Sequence, residues 1–263
     1  MWAGEQVRWL VWLLTTTNLV QLPKWSLQTL ASGPRKSIIT VMSRVRPYSI
    51  SRIAGELEEP FSMVDVAYVD DLLLSVYICQ GALHWHRHVD IDELFWVYEG
   101  SMLLESERGD AALTSGELTV VPKGTEHRSR SDLPAVVLLL RCGLVPHRKN
   151  GKRQLYVTEE CGLPSVNLRR RAESLAAPYR FRTVAEIEDS RVQLARGKGR
   201  WPIELPVAHD RLVYVVNGRL TVRTVRDRLR LGPGEFTVIP RGAFHHLYTE
   251  DDTLLVRVTR EAL

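Results

Sequence analysis

GALHWHRHVDIDELFWVYEG, residues 81–100, is the stretch of sequence that decides the fold. Histidines alternate within it at His84, His86 and His88, and the carboxylate of Glu93 follows just before an apolar run. Because side chains alternate along a β-strand, the three imidazoles lie on one face of the strand. A short turn then brings Glu93 opposite them on the next strand. The stretch therefore predicts a hairpin in which imidazoles and a carboxylate face one another.

A second copy of the same pattern lies 118 residues further on. Residues 116–127, GELTVVPKGTEH, match residues 234–245, GEFTVIPRGAFH, with seven of twelve positions identical. Two further pairs of glycines share this offset, namely Gly81 with Gly199 and Gly100 with Gly218. Three landmarks at one offset indicate that the chain contains the same structural unit twice.

The apolar runs of each unit are short and lie between turn residues. In the first unit, Gly116 and Gly124 suit turns that need a positive φ, and Pro122 suits the end of a strand. Short strands without intervening helices predict an antiparallel sandwich or barrel. Between the units, residues 165–177 (SVNLRRRAESLAA) are the best helix candidate.

The composition is that of a globular protein, with 263 residues of which 44% are hydrophobic and 25% charged. Its three cysteines, Cys79, Cys142 and Cys161, include no CxxC pair. This spacing argues against a thiolate zinc site and against a disulfide framework. A reducing cytosol is the simplest home for such a chain, so a cytoplasmic location is expected.

Positive charge concentrates between the two units. Residues 148–182 hold nine Lys or Arg and three Glu, a surplus of six, whereas the whole chain has a net charge of +4. Such a connector could touch nucleic acid or an acidic partner. No helix-turn-helix and no interleaved aromatic pattern accompanies it, so we interpret it as a solvated linker with a short helix. No nucleic-acid partner is expected.

The N-terminus carries an uncharged stretch at residues 9–23, WLVWLLTTTNLVQLP. This stretch is shorter than the roughly 20 apolar residues that cross a bilayer. Because Glu5 and Arg8 precede it, it is also a poor signal peptide. We expect residues 1–41 to be a poorly ordered or extraneous extension, with Met42 as an alternative natural start, and we expect no membrane partner.

Side chains of the first unit have the types and positions of metal ligands. His86 and His88 share a strand face with His84, Glu93 faces them, and His127 lies beyond a Pro-Lys-Gly turn. Three neutral imidazole nitrogens and one carboxylate suit one divalent first-row metal, namely Fe, Mn, Co, Ni or Zn. Four protein ligands around an octahedral ion leave two positions for water, O₂ or a chelating substrate.

The spacing of these residues resembles the first motif of the cupin superfamily. From Gly81, four residues lead to residues 86–88 (HRH), four more to Glu93, and six more to Gly100. The family pattern has about five residues after its first glycine, three or four before its glutamate and six before its last glycine. The chain has one residue fewer after Gly81 and otherwise follows the pattern.

The second motif of that family is also present. From Gly116, five residues lead to residues 122–124 (PKG), two more to His127 and three more to Ser131. The family usually has asparagine where this chain has Ser131. Since that asparagine is not a metal ligand in the family, serine at this position leaves the predicted ligand set unchanged.

The resemblance covers roughly residues 70–142 and 187–260. It implies an all-β fold of two tandem double-stranded β-helix (jelly-roll) domains joined by a basic, partly helical linker. It also implies that the metal ligands are His86, His88, Glu93 and His127. The expected parts of the chain are the extension at 1–41, a metal-binding cupin domain at 42–145, the linker at 146–178 and a degenerate cupin domain at 179–263.

Two residues beside the ligands have open roles. His84 lies on the same face one step further out, where it could support a ligand, contact a substrate or pack against the barrel. Asp92 is the alternative carboxylate, but Glu93 keeps the six-residue spacing to Gly100. Asp92 could instead orient a histidine N–H.

The second unit lacks the equivalent ligands. At the offset of 118 the corresponding residues are Glu204 for His86, Pro206 for His88, Arg211 for Glu93 and His245 for His127. His209, His245 and His246 could in principle form another site, but their spacing argues against it. We expect the second unit to bind no metal and to serve as a structural or regulatory partner of the first.

Two classes of function follow from these expectations. The leading hypothesis is a mononuclear metalloenzyme for a small oxygenated or carboxylated molecule, either dioxygenase-like or an isomerase, lyase or decarboxylase, with an oxidoreductase favoured. The alternative is a non-catalytic module that binds or senses a small ligand, because the cupin fold hosts many functions. Edge strands and two units in one chain also make a homodimer a possible assembly.

Overall fold

The computed structural model describes residues 44–143, 162–175, 177–202 and 208–260. The expected extension at residues 1–41 and the alternative start at Met42 lie outside the described residues. The same holds for much of the basic linker and for Glu204 and Pro206 of the second unit. Among the described residues, no helix has the length and apolar character needed to cross a bilayer.

Alternating apolar and polar residues fold into seventeen strands and two short helices across the described ranges. In chain order these are β1 (Tyr48–Ser49), α1 (Ile50–Gly55), β2 (Met63–Val69), β3 (Leu72–Ala82), β4 (His86–Arg87), β5 (Glu93–Glu99), β6 (Ser101–Ser106), β7 (Ala111–Thr114), β8 (Glu117–Val121), β9 (Glu126–Cys142), β10 (Ser165–Asn167), α2 (Leu168–Glu173), β11 (Arg182–Ile187), β12 (Ser190–Arg200), β13 (Arg211–Asn217), β14 (Leu220–Thr224), β15 (Arg228–Leu231), β16 (Glu235–Ile239) and β17 (His245–Arg260).

The strands form two antiparallel sheets that repeat the same topology. The first sheet has the order β10-β8-β5-β9-β3-β2, with β4 and β6 paired to β9 and β7 paired to β6. The second has the order β1-β16-β13-β17-β12-β11, with β14 paired to β17 and β15 paired to β14. The prediction of an all-β chain with two tandem barrels is confirmed.

One long strand closes each barrel. In the first, the start of β9 pairs with β4 and β6, and its end pairs with β3 and β5. In the second, β17 pairs in the same way with β14 and then with β13, while β12 runs along its other edge. A strand that belongs to both faces of a barrel holds residues from distant parts of the chain beside one another.

The short strand that precedes each barrel pairs with the other barrel. Strand β1 lies before the first barrel but pairs with β16, and β10 lies before the second barrel but pairs with β8. A short helix follows each of them, and each helix has a side chain at its N-cap, Ser49 for α1 and Asn167 for α2. The two halves are therefore tied together by an exchange of equivalent strands.

Three apolar clusters stabilise this arrangement. One fills the interior of the first barrel around Phe95 and Leu139, and another fills the second barrel around Trp201 and Leu255. The third and largest contains residues of both barrels. At its centre the rings of Trp96 and Tyr214, which are equivalent residues of the two units, meet edge to face at 4.6 Å.

A network of hydrogen bonds between Asp92, Lys123 and Glu188, which we call a clasp, also joins the barrels and shows the role of Asp92. The Asp92 carboxylate accepts a hydrogen bond from Lys123 N at 2.8 Å and another from Glu188 N at 3.2 Å. Glu188 in turn accepts from Asp92 N at 3.1 Å and contacts Lys123 Nζ at 3.2 Å. Asp92 therefore links the start of β5 to the turn between β11 and β12, because its two oxygens bind amides of both barrels.

The residues at the offset of 118 form a related clasp on the other side. Asp210, the equivalent of Asp92, accepts from Arg241 N at 2.8 Å and from Asp70 N at 3.3 Å. Asp210 N donates to the Asp70 carboxylate at 3.3 Å. His209 Nδ1 lies 3.3 Å from the same carboxylate. The two barrels thus contact each other through a pseudo-twofold pair of carboxylate clasps.

Asp92→Ala is expected to lower the free energy of unfolding by about 2–4 kcal/mol. The change removes a part-buried carboxylate that accepts two amide hydrogen bonds, and hydrogen bonds to a charged group contribute about 1.5–3 kcal/mol each. Urea unfolding at pH 7 measures the loss. Asp132→Ala, on a side chain that is 94% exposed, serves as the control. A loss below about 0.5 kcal/mol in Asp92→Ala would show that the clasp does not stabilise the fold.

Candidate metal centre

Three strands bring the candidate ligands of the first barrel together. His86 lies on β4 directly opposite His127 on β9, and Glu93 is the first residue of β5. His88 follows β4, and its carbonyl accepts a hydrogen bond from Gly124 N at 2.7 Å. This hydrogen bond connects the Pro-Lys-Gly turn, which precedes His127, to the backbone of His88.

The candidate ligand atoms converge. His86, Glu93 and His127 each offer one atom within 4.8 Å of the others. Glu93 Oε2 lies 3.1 Å from His127 Nε2 and 3.4 Å from His88 Nε2. The rings of His86 and His88 have centroids 5.2 Å apart. Among the described residues, His86, Glu93 and His127 thus surround one point, and His88 joins them through the contact of its Nε2 with Glu93.

The distances between these atoms fit a shared metal ion. Two ligand atoms at about 2.1 Å from one ion are about 3.0 Å apart at a right angle and about 3.4 Å apart at the tetrahedral angle. The separations of Glu93 Oε2 from His127 Nε2 and His88 Nε2, 3.1 Å and 3.4 Å, match these two values. The donor set, three imidazoles and one carboxylate, also suits a divalent first-row ion.

Backbone carbonyls fix the orientation of two of the imidazoles. His86 Nδ1 lies 2.9 Å from the carbonyl of His84, and His127 Nδ1 lies 3.0 Å from the carbonyl of Thr125. Since a carbonyl can only accept, Nδ1 donates in both contacts, and Nε2 is the nitrogen of each ring that is placed to bind a metal. His84 thus acts on the site through its carbonyl, and its own side chain is exposed.

The electrostatics favour the protonation states that bind metals. Burial raises the pKa of the Glu93 carboxyl, but the hydrogen bond from His127 and the nearby histidines outweigh burial and leave this pKa below its usual value. Burial lowers the pKa of His88, and the charges of His86 and His127 lower it further against the pull of Glu93. Near neutral pH, Glu93 is therefore an anion and His88 a neutral imidazole.

Sequence reasoning missed a polar group inside the same barrel. Tyr77 and Cys79, two residues apart on β3, are buried in the apolar cluster of the first barrel, and Ser129 of β9 is buried near them. Burial raises the pKa of the Cys79 thiol to about 11, against the effect of Ser129, so it is not a thiolate near neutral pH. The Tyr77 hydroxyl is buried as well, and Ser129 lies beside it. The alternation along β3 was the signal that could have identified this pair.

The second barrel keeps only part of this geometry. His245 Nδ1 lies 3.0 Å from the carbonyl of Ala243, as His127 does with Thr125. Arg211 stands on β13 at the position of Glu93. Tyr179, Trp201 and Leu247 line a cavity of only about 20 Å³ beside His245.

The other two histidines of the second unit lie elsewhere. His209 contacts the Asp70 carboxylate in the clasp, and His246 is exposed on β17. His245, in contrast, is buried on the opposite face of that strand. The structure therefore does not bring His209, His245 and His246 to one point.

Sequence comparison relates part of this chain to a known protein. No protein-family model matches the chain. The uncharacterised protein YdbB of Bacillus subtilis strain 168 is 36% identical over 87 residues, which are 33% of this chain and 77% of YdbB. This identity shows that the chain and YdbB are relatives.

Solved structures match both barrels. The cupin 2 conserved barrel domain protein from Leptotrichia buccalis has a TM-score of 0.64 at 10% identity, over 82% of this chain and 96% of that protein. Salicylate 1,2-dioxygenase from Pseudaminobacter salicylatoxidans has a TM-score of 0.62 at 14% identity, over 84% of this chain and 87% of the enzyme. Its adduct with gentisate matches with the same TM-score and identity. At such low identity these likenesses concern the fold alone, and they show that this chain, which belongs to the same family as YdbB, has the two-barrel fold of these cupin structures.

Proposed function

We propose that the first barrel binds one divalent transition metal through His86, His88, Glu93 and His127, and that the chain is a metalloenzyme for a small molecule. The observation that carries this proposal is the separation of Glu93 Oε2 from His127 Nε2 and His88 Nε2, 3.1 Å and 3.4 Å. Oxidation of the substrate by O₂ is the favoured reaction, and isomerase, lyase or decarboxylase chemistry is the alternative.

Residues of the first barrel would charge and orient the ligand set for that chemistry. When bound, the metal supplies Lewis acidity and open positions for a chelating substrate or O₂. Glu93 contributes the negative charge of the ligand set, and the His84 and Thr125 carbonyls hold two imidazoles in place. The hydroxyl of Tyr77 is buried within the electrostatic reach of Glu93 and is a candidate donor of a hydrogen bond to a substrate oxygen.

The class of substrate that we favour is a hydroxylated aromatic carboxylate. Arg141 lies opposite Glu93 in the pairing of β5 with β9, and its positive charge acts on His88. A guanidinium in this place suits a substrate carboxylate. The shared fold with salicylate 1,2-dioxygenase, which is known as an adduct with gentisate, gives salicylate and gentisate as the first compounds to test.

Metal analysis tests the site. The full-length chain, purified without chelators or an affinity metal, is expected to hold about one equivalent of Fe, Mn, Co, Ni or Zn by elemental mass spectrometry. His88→Ala is expected to lose most of it, because one imidazole ligand is removed. His84→Ala is the matched control and should keep its metal, since His84 contacts His86 through its carbonyl. Equal metal in His88→Ala and the control would exclude His88 as a ligand.

Oxygen uptake tests the reaction separately. The iron-loaded protein is expected to consume O₂ with salicylate, gentisate or a catechol, and His88→Ala is expected not to. A protein that binds metal but turns over none of these compounds would send the search to isomerase, lyase and decarboxylase substrates. Tight binding of a compound without turnover would favour the non-catalytic sensor.

A cytoplasmic location and a homodimer belong to the same proposal. Cys79 is a buried thiol outside any disulfide, which fits a reducing compartment. Light scattering of the purified chain would give the oligomeric state directly.

A further inference from the structure

A basic groove of about 570 Å³ lies on the outer surface of the second barrel. Strands β14, β15 and β17 form it together with the end of β12. The side chains that define its character are Arg200, Arg223, Arg228, Phe244, His246 and Tyr248. We refer to it below as the arginine groove.

The strand register sets arginines of the arginine groove beside one another and beside His246 and Tyr248. Arg223 on β14 pairs with Arg228 on β15 and with His246 on β17, and Arg200 pairs with Tyr248. Like charges directly opposite one another on neighbouring strands are destabilising. None of these cations forms an ion pair within the part of the chain that the structure describes. Among the residues that the structure describes, the guanidinium groups of the arginine groove thus have no carboxylate partner.

The equivalent surface of the first barrel is neutralised. There Glu105 on β6 pairs with Arg128 on β9, at 2.7 Å and 3.2 Å, and this pairing has the same register as Arg223 with His246. Acidic residues of the first barrel are replaced at the offset of 118, in the order Glu105 by Arg223, Glu107 by Val225, Asp110 by Arg228 and Glu126 by Phe244. The second barrel therefore has guanidinium groups and apolar side chains on this surface where the first barrel has acids.

Exposed aromatic rings accompany the cations. Phe244 is 56% exposed and Tyr248 is 47% exposed, although large apolar side chains are usually covered. A groove that combines guanidinium groups with exposed aromatic faces is typical of proteins that bind single-stranded nucleic acid. In such proteins the phosphates contact cations and the bases stack on the rings. An acidic peptide would compensate the charges but offers no planar group for Phe244 and Tyr248.

We propose that the arginine groove binds single-stranded nucleic acid. This inference rests on the second barrel alone and does not depend on the proposed metal chemistry of the first. It also departs from the sequence-based expectation of no nucleic-acid partner. The side chains of the groove come from strands β12, β14, β15 and β17 and, for Phe244, from the turn before β17, so no short stretch of sequence shows the pattern.

Fluorescence anisotropy with labelled single-stranded dT12 and the full-length chain tests the proposal. The wild type is expected to bind, and the slope of log K against log salt is expected to lie between about −2 and −3, which corresponds to about three or four phosphate contacts. Arg223→Ala with Arg228→Ala is expected to weaken binding at 50 mM salt at least about tenfold and to reduce the slope by about 1.4. Tyr248→Ala is expected to weaken binding about fivefold or more at an unchanged slope.

A matched control removes two charges from the equivalent surface. Arg128→Ala with Arg130→Ala, in the first barrel, is expected to change the affinity less than twofold, because these arginines lie beside Glu105 and Asp132. Thermal melting of every variant separates lost binding from lost folding.

Several results would overturn the proposal. One is the absence of saturable binding of dT12 up to 100 µM protein at 50 mM salt. Another is a loss of affinity in the control variant equal to that of Arg223→Ala with Arg228→Ala, and a third is full affinity in Tyr248→Ala. Displacement of dT12 by decaglutamate as effectively as by unlabelled dT12 would assign the surface to an acidic protein. Equally effective displacement by thymidine monophosphate would assign it to a free nucleotide.

Discussion

Glu93→Gln is expected to reduce the metal affinity of the first barrel at least about 100-fold. Loss of a residue that merely orients a metal ligand costs about 10- to 100-fold, and Glu93 is itself a candidate ligand. It is the one anion of the set, and glutamine keeps its shape while removing the charge. Because Glu93 is only 3% exposed, water cannot easily take its place. Competition with a fluorescent chelator measures the affinity of wild type and variant.

Glu105→Gln is the matched control for this change. Glu105 is a carboxylate of the same barrel, but it pairs with Arg128 and lies outside the candidate site. Its replacement removes the same charge and should leave the metal affinity within about twofold. If Glu93→Gln bound metal as tightly as the control, the carboxylate would not be a ligand. The ligand set would then reduce to the three histidines.

The candidate ligands could be predicted from sequence because the information about them is local. His86, His88 and Glu93 lie within eight residues, and strand alternation alone places them on facing sides of a hairpin. His127 needed only the turn before it and the family spacing. The structure places His86, Glu93 and His127 close together and His88 in contact with Glu93, and the role of the four as metal ligands stays a prediction.

The role of Asp92 could not be predicted in this way. Its carboxylate binds the amide of Glu188, which is 96 residues away in the other barrel. Nothing near Asp92 in the sequence identifies that partner, so the sequence suggested a nearby histidine N–H as its hydrogen-bond donor. The exchange of β1 and β10 between the sheets escaped prediction for a similar reason, since strands of two and three residues carry no signal of their partner.

Equivalence of the two units was visible in the sequence, but its consequences were not. The offset of 118 identified corresponding residues, and it correctly indicated that Arg211 replaces Glu93. It did not show that Trp96 and Tyr214, also at this offset, meet ring to ring between the barrels. A repeat in a sequence specifies similar units, whereas the contact between the units depends on their packing.

Trp96→Ala is expected to lower the free energy of unfolding by about 3–5 kcal/mol, the usual cost of truncating a buried large aromatic residue. Trp96 is 4% exposed and its ring meets Tyr214 at 4.6 Å in the cluster that contains residues of both barrels. An edge-to-face pair contributes about 0.5–1.5 kcal/mol beyond area burial. Urea unfolding measures the loss, and Trp85→Ala is the control, since Trp85 is 45% exposed.

A double-mutant cycle with Tyr214→Ala tells whether the barrels unfold as one unit. If they do, Tyr214→Ala destabilises both barrels, and the double variant loses about 0.5–1.5 kcal/mol less than the sum of the single variants. The second barrel can be followed by the fluorescence of Trp201, which is buried inside it, with Trp96→Phe as the reference for Trp96→Ala. The background for both replaces the other five tryptophans, namely Trp2, Trp9, Trp12, Trp25 and Trp85. Two separate transitions, with Trp96→Ala shifting only one, would show that the shared cluster does not couple the barrels. One shifted transition would instead mean that the second barrel, although it lacks the ligands of the first, stabilises the strands that hold the metal site.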